Sequence, residues 1–168
     1  MRSENIAKRL AYVAAQEGLD PTKLVFVDES GLIPCMNRLY GWDPVGKQAI
    51  ILRSTRGKRL NLIGGMAVDG VRGILTVAGS MNGEKVAEFL TSHLQLNEGD
   101  VVVMDNAPVH TAKLARAALA KRCCSVLFLP PYSPDLNPIE HLWSTLKARL
   151  WAQGTPTWNT LKELVLEV

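Results

Sequence analysis

The sequence has few cysteines and no long apolar run. Its 168 residues contain three cysteines, Cys35, Cys123 and Cys124, which form no CxxC pair. An odd count with two adjacent members argues against a disulfide framework and favours a reduced, cytoplasmic protein. No apolar stretch approaches the roughly 18 residues that a membrane span needs, and the first residues lack the apolar core of a signal peptide. We therefore expect a cytoplasmic protein with no membrane partner.

Strong charge of either sign is also absent. The formal net charge is +3, with 47% hydrophobic and 21% charged residues. Such a composition is ordinary for one globular domain that is long enough to bury a core. The slight positive balance is compatible with nucleic acid, but the distribution of charge matters more than its sum.

Apolar runs and helical patterns alternate along the chain. Helices are predicted at 4–17, 83–94 and 111–122, from Pro138 onwards, and near Thr157; strands are predicted at 24–27, 60–68, 71–77, 101–104 and 125–129. An Asp-Gly pair between the second and third strands indicates a hairpin. An early hairpin followed by strand–helix alternation predicts an α/β fold, a ribonuclease-H-like mixed sheet with helices on both faces.

The first helix is separated from the rest by Gly18. Ile6, Leu10 and Val13 are spaced to share one face of this helix. We expect residues 1–20 to form a linker helix and residues 21–168 to form the main domain.

Two of the predicted buried strands are each followed by an aspartate, Asp28 and Asp105. Ligand sites of open α/β sheets gather at strand ends, and buried carboxylates need a cation or hydrogen bonds to offset their desolvation. Hard oxygen ligands suit Mg²⁺ or Mn²⁺. An aspartate after a strand is also a common turn or capping residue, so position alone leaves both roles open.

A two-metal site needs a third carboxylate, and Glu140 is the candidate. It lies at the edge of the apolar stripe of the helix that starts at Pro138. Asn137 is the predicted cap of that helix, and a glutamate three residues after the cap can instead complete a capping box. Spacing does not decide between the two roles.

The local sequence around each carboxylate is more specific. The three blocks read VFVDESG around Asp28, VMDNAPVH around Asp105 and PPYSPDLNPIEHLWSTLK around Glu140. Together they resemble the catalytic blocks of the mariner superfamily of DDE transposases, in particular its bacterial insertion-sequence branch. That family has 34 residues between its last two acidic residues, as Asp105 and Glu140 do. The resemblance extends from Leu24 to Leu150.

The resemblance implies a metal-dependent transposase that cleaves transposon DNA ends and transfers the strands into target DNA. Asp28 would bridge two ions, Asp105 would hold one and Glu140 the other. Asn106 and His110, from the block of Asp105, would support the site by orienting a metal-bound water or the scissile phosphate; hydrogen bonding within the loop is their alternative role. Asn137 would support it by aiming Glu140.

A basic stretch without acids lies between the first two strands. Its members are predicted to contact DNA phosphates, with an ordinary solvated surface as the alternative: Arg53, Arg56, Lys58 and Arg59, together with Lys47.

The chain departs from the family before its first block. Family members normally carry helix-turn-helix units there, and only one helix precedes Asp28 in this sequence. We expect such units to be supplied by a region or product outside this chain, and the assembly on DNA to be a homo-oligomer. The alternatives are a catalytically idle, DNA-binding remnant and another ribonuclease-H-like nuclease.

Overall fold

The computed structural model describes residues 3–33, 44–47, 59–77, 79–105 and 109–152. Helix α1 (Ser3–Glu17) is followed by strand β1 (Leu24–Leu32) and the hairpin of β2 (Leu60–Ala67) and β3 (Gly70–Val77). Then come α2 (Gly83–Glu88), which continues as a π-helical turn (Phe89–His93), β4 (Val101–Met104), α3 (Val109–Ala120), β5 (Ser125–Phe128) and α4 (Ile139–Ala152). Two short 3₁₀ turns cover Pro21–Lys23 and Pro134–Leu136. The predicted order of elements is confirmed as far as α4, and the predicted helix near Thr157 lies outside the described residues.

The five strands form one mixed sheet in the order β3-β2-β1-β4-β5. The three strands from β3 to β1 pair antiparallel, whereas β1, β4 and β5 run parallel. The parallel pairing of β1 with β4 ends at Phe26 and Val103, although β1 continues along β2 as far as Leu32. One long strand therefore projects beyond the end of its parallel neighbour.

Alternate residues of the sheet enter two different cores. Val25 and Val27 pack with the residues of α2 and α3, including Phe89 and Leu119. On the opposite face, α4 contributes a second cluster that includes Ile139, Trp143 and Leu146, packed against Leu32, Leu60 and Leu62. Because successive strand residues point to opposite faces, this division decides which side chains of β1 and β4 can reach α4.

The tip of the hairpin differs by one residue from the prediction. Ala67 pairs with Gly70, so the two loop residues are Val68 and Asp69 rather than Asp69 and Gly70. Gly70 has a φ of +128°, which glycine adopts without steric cost. The Asp69 carboxylate accepts two hydrogen bonds from the Arg72 guanidinium, at 2.9 and 2.7 Å.

Helix α1 packs on the sheet by a different face from the one its apolar residues suggest. Tyr12 is buried with Leu24, Val103 and Leu129, whereas the predicted stripe is open to solvent, with Ile6 48%, Leu10 66% and Val13 41% exposed. Tertiary contacts override the apolar spacing because the packing face also contains Arg9, which forms an ion pair with Asp135.

Helix α3 begins at Val109, two residues before the predicted capping residue Thr111, so Thr111 lies inside the helix. Within the described ranges, no helix is long and apolar enough to cross a lipid bilayer.

Candidate active site

Asp28 and Asp105 extend from neighbouring parallel strands on the same face of the sheet. Val103 and Phe26 are partners in the β1–β4 register. Asp28 lies two residues beyond Phe26 within β1, and Asp105 lies two residues beyond Val103, just past the end of β4. A step of two residues keeps a side chain on the same face, so both carboxylates share the face that α4 covers. Asp28 does not end its strand as predicted: β1 continues to Leu32. The end of β4 creates the open edge instead.

Helix α4 supplies the third predicted carboxylate in its first turn, where Glu140 is exposed. Asp28, Asp105 and Glu140 all line one cleft of about 440 Å³. The remaining wall comes from the loop before α4: Leu129, Pro130, Pro131, Tyr132, Ser133, Pro134 and Asn137. The structure thus brings together three side chains that are widely separated in sequence.

The environment of Asp28 disfavours its negative charge. Burial raises the pKa of Asp28 to about 6, and repulsion from Glu140 and Asp105 acts in the same direction. Hydrogen bonds from the backbone of Glu29 and the side chain of Trp143 oppose this rise. Partial burial also raises the pKa of Asp105, although its side chain remains open to solvent. A bound cation would relieve both the desolvation and the repulsion.

Trp143 contacts the candidate site as well as the core, and it was not among the site residues that the sequence indicated. It is buried in the second core cluster, but its Nε1 also donates a hydrogen bond of 3.1 Å to Oδ2 of Asp28. The available signal was its position three residues after Glu140, which places both side chains on neighbouring parts of one helical face.

The indole of Trp143 reaches Asp28 because Gly64 has no side chain. Gly64 is the β2 partner of Asp28 in the antiparallel register. A Cβ atom built on Gly64 would lie 2.7 Å from Cη2 of Trp143, closer than real Cβ contacts allow. A glycine opposite Asp28 is therefore required for the indole to lie where it does.

Asn137 does not cap α4 in the predicted way. Its backbone N–H donates to the carbonyl of Pro134 at 3.0 Å, and its carbonyl accepts from the backbone N–H of Glu140 at 3.2 Å. The capping box, the alternative role of Glu140, is therefore not formed, because the N–H that Glu140 would bind is already paired. Among the described residues, the buried Oδ1 atom of Asn137 has no hydrogen-bond partner, and Asn137 lines the cleft.

Arg59 lies beside the cleft in a separate groove. This groove of about 430 Å³ contains Arg59 and Lys147, together with Glu29 and Glu140 as its acidic residues. The Arg59 guanidinium occupies the space above Gly31, where any Cβ atom would overlap it. Glu140 borders both the cleft and the groove, so the two are continuous at this residue.

The other predicted site residues cannot be located. Asn106, Arg53, Arg56 and Lys58 lie outside the described residues. His110 lies in the first turn of α3, and the position of its side chain is not described.

The donor set of the cleft suits a hard divalent cation. Three carboxyl side chains line it, and carboxylate oxygen is the ligand that Mg²⁺ and Mn²⁺ favour. In the part of the chain that the structure describes, no three His, Cys, Asp or Glu side chains approach closely enough to bind one ion together.

The chain is similar to known proteins in sequence and in fold. The chain is 28% identical to the Tc3 transposase of Caenorhabditis elegans over 99% of its own length and 54% of that protein. It superposes on the Mos1 transposase in a paired-end complex with the left transposon end with a TM-score of 0.78, at 20% identity, over 99% of this chain and 55% of the other. A Mos1 paired-end complex with Mn gives a TM-score of 0.76 at 20% identity, with 99% and 55% coverage. The chain spans about half the length of these relatives.

These similarities confirm the ribonuclease-H-like fold class that the order of elements predicted. The model of the DDE superfamily endonuclease family matches residues 23–165, which is most of the chain and contains all three candidate carboxylates. This chain belongs to the DDE superfamily of endonucleases.

Proposed function

We propose that this chain is the catalytic domain of a cut-and-paste DNA transposase of the Tc1/mariner type. It would cleave the DNA ends of a transposable element and join them to target DNA, with Asp28, Asp105 and Glu140 as its catalytic residues. The observation that carries the proposal is the single cleft lined by these three carboxylates. The transposase identity of Tc3 and Mos1 supports it.

The cofactors in this proposal are two Mg²⁺ or Mn²⁺ ions, with Asp28 shared between them. Such ions, when bound, activate the attacking oxygen and stabilise the leaving one in an in-line displacement at phosphorus. The family resemblance would assign one ion to Asp28 and Asp105 and the other to Asp28 and Glu140. The raised pKa of Asp28 gives a second reason to expect a cation here.

The chain's own residues orient the reactants. The indole N–H of Trp143 donates a hydrogen bond to Oδ2 of Asp28. The other carboxylate oxygen, Oδ1, would then be available to a metal ion. The unpaired Oδ1 of Asn137 would accept a hydrogen bond from a water or a 3′-hydroxyl group. Asn106 and His110 retain their predicted supporting roles in this proposal.

DNA is the proposed partner, and the groove beside Glu140 indicates one part of its path. Arg59 and Lys147 face this groove, and a backbone phosphate next to the reacting one would bind between them. Arg53, Arg56 and Lys58 keep their predicted role as further phosphate contacts. Helix-turn-helix units from outside this chain and a homo-oligomeric assembly on DNA complete the proposal, with residues 1–20 as the linker to those units.

Two parts of the proposal depend on the sequence alone. The bacterial insertion-sequence branch is inferred from the three sequence blocks, and it has no support from Tc3, which comes from a nematode. Cytoplasmic location is inferred from the composition. The DNA upstream of the coding region tests the branch: an overlapping frame that encodes helix-turn-helix units, with inverted repeats outside both frames, is the arrangement expected of a frame-split insertion sequence.

The test of activity uses supercoiled plasmid and a pre-cleaved oligonucleotide end. Wild-type protein should nick the plasmid and join the oligonucleotide to it in Mg²⁺ or Mn²⁺ but not in chelator. Nicking without joining would favour a different ribonuclease-H-like nuclease, and neither reaction would favour an idle remnant. Asp69→Asn is the matched control, since Asp69 lies at the hairpin tip and pairs with Arg72.

A further inference from the structure

Tyr132 is a strongly exposed aromatic residue of the cleft wall. Its relative exposure is 92%, yet the residues that precede and follow it are buried or half-buried, including Pro130 and Ser133. Single exposed apolar residues are common on protein surfaces and need no explanation by themselves. Tyr132 differs because it borders the same cleft as the three carboxylates.

The backbone at Tyr132 is strained. Its φ is +55°, in the left-handed region that side chains with a Cβ atom seldom occupy and bulky residues avoid most. Strain of this kind persists only where the surrounding structure enforces it, and it is concentrated at functional sites. The strain does not bury the ring, since the side chain remains in solvent.

The loop around Tyr132 is held from outside itself. The Ser133 hydroxyl donates to the carbonyl of Pro131 at 3.3 Å and accepts a hydrogen bond of 2.8 Å from Arg9 of helix α1. The same guanidinium donates to both carboxylate oxygens of Asp135. Helix α1 thereby fixes the loop on the C-terminal side of Tyr132, and the ring is presented on a rigid support rather than on a mobile tip.

We propose that Tyr132 is a stacking platform for a nucleobase next to the phosphate that reacts in the cleft. This inference depends on the proposed function, because it places DNA at the three carboxylates. A phosphodiester held there carries bases within reach of the cleft wall, and a base that is unpaired or at the end of a strand offers a π-face to an aromatic ring. The stacked base would fix the orientation of the strand while the carboxylates act on its backbone.

Two kinds of contact would orient the DNA strand, one to its phosphate backbone at the carboxylates and one to a base at Tyr132. Carboxylates and cations contact only phosphate and hydroxyl oxygens, which are alike at every nucleotide, so they leave the strand free to slide and rotate. A ring at one position adds a fixed contact to one base. Tyr132 is therefore a positioning residue, and its contribution to DNA binding does not depend on the DNA sequence.

The test is a double-mutant cycle between the protein and the DNA. Tyr132→Ala removes the ring, Tyr132→Phe keeps it, and Tyr132→Gly removes it while allowing the left-handed backbone. Binding of short duplexes whose last three 3′ nucleotides are unpaired is measured in Ca²⁺. Excess closed circular DNA occupies binding sites that do not require an end. Parallel duplexes carry an abasic nucleotide at the last, second or third position of the 3′ strand.

On intact duplexes, loss of the ring should weaken binding about five- to one-hundred-fold, the range found for a single base–aromatic stack. Tyr132→Phe should bind like the parent, and Tyr132→Gly like Tyr132→Ala. At one abasic position the parent and Tyr132→Ala should bind equally, because the base that the ring contacts is missing. Equal binding of parent and Tyr132→Ala on intact duplexes, or a deficit that no abasic position removes, would overturn the proposal.

The binding cycle does not require cleavage, so it separates this proposal from the proposed function. If wild-type protein fails to nick DNA in Mg²⁺ but the cycle gives the expected result, the stacking role stands and the catalytic proposal falls. If nicking proceeds and the cycle shows no coupling, the catalytic proposal stands and the stacking role falls.

Discussion

The indole Nε1 of Trp143 donates a 3.1 Å hydrogen bond to Oδ2 of Asp28 across 115 residues of sequence. The bond joins the core packing of helix α4 directly to a carboxylate of the cleft. Trp143 is fully buried against the sheet, so its indole has little freedom to move. The side chain that anchors the helix therefore also sets the orientation of the Asp28 carboxylate.

Loss of this hydrogen bond should weaken metal binding more than it weakens the fold. We expect Trp143→Phe to lower Mn²⁺ affinity about tenfold or more, the range for a residue that orients a metal ligand. The pH midpoint of binding should also move upwards, because the bond lowers the pKa of Asp28. Calorimetric Mn²⁺ titration at several pH values measures both.

Leu146→Val is the matched control for this experiment. Leu146 is buried in the same cluster and on the same helix as Trp143, but it is not a partner of Asp28. Its shortening should lower the free energy of unfolding by about 1 kcal/mol without changing Mn²⁺ affinity. A similar loss of affinity in both variants would mean that Trp143 acts only through packing.

Asp28→Asn should stabilise the metal-free protein at neutral pH. The folded-state pKa of Asp28 is raised to about 6 from 3.8, so its contribution to stability is complete below about pH 3.8 and is lost as the pH rises through 6. Removing the charge should raise the free energy of unfolding by about 1–2 kcal/mol at pH 7.5 in chelator, after discounting for partial exposure. Denaturant melts at pH 7.5 and pH 4 measure this, and the gain should disappear at the lower pH.

When metal is present, Asp28→Asn should make the protein less stable than the wild type, the opposite of its effect in chelator. Mn²⁺ should raise the unfolding midpoint of the wild-type protein and leave that of Asp28→Asn nearly unchanged. A variant that is less stable than wild type in chelator at pH 7.5 would contradict the interpretation of Asp28 as a carboxylate that needs a cation.

Asp105→Asn should abolish cleavage while the protein remains folded. We expect nicking in Mg²⁺ or Mn²⁺ to fall by about a hundredfold or more, the usual cost of losing one electrostatic contact at a reacting centre. Plasmid nicking measures the rate, and circular dichroism checks the fold.

Nicking by the wild-type protein should be weak or absent in Ca²⁺, whose longer and looser coordination misaligns an in-line attack. Activity that persists in chelator would rule out a metal-dependent reaction.

The groove beside Glu140 should contribute to the salt dependence of DNA binding. Replacing both Arg59 and Lys147 by alanine removes two cationic side chains from the groove. The slope of log affinity against log salt should then be shallower by about 1.8 on duplex DNA. Lys85→Ala is the control, because Lys85 lies on helix α2 and pairs with Glu88.

A second variant tests the position of Arg59 without removing its charge. Gly31→Ala places a Cβ atom where the Arg59 guanidinium lies, so the guanidinium must shift from its present position. Binding should weaken less than it does for Arg59→Ala, because the charge is retained. Unchanged affinity and slope in all of these variants would show that DNA does not follow this groove.

The order of elements and the three carboxylates were within reach of sequence reasoning. Apolar runs predicted the strands, helical spacing predicted the helices from α1 to α4, and three local blocks indicated Asp28, Asp105 and Glu140. These features depend on residues that are close in sequence, where periodicity and motifs carry the information. The fold class followed from the order of the elements alone.

Contacts between distant residues were decided only by the tertiary structure. Sequence spacing did not separate a capping role for Glu140 from a site role, and the pairing of the Asn137 N–H with Pro134 excludes the capping box. Spacing also gave α1 an apolar face through Ile6, Leu10 and Val13, but the helix packs through Tyr12 and Arg9. A helix can bury whichever face gains the better long-range partners, and those partners are set by the whole fold.

What the sequence determined by itself is therefore the set of elements and the identity of three acidic residues. The tertiary structure decided how long β1 runs beyond β4, which indole reaches Asp28, and which aromatic ring stands beside the cleft. Each of these depends on where one element ends relative to another in space. The bond from Trp143 to Asp28 exists only because Gly64, more than 70 residues before the indole, leaves room for it.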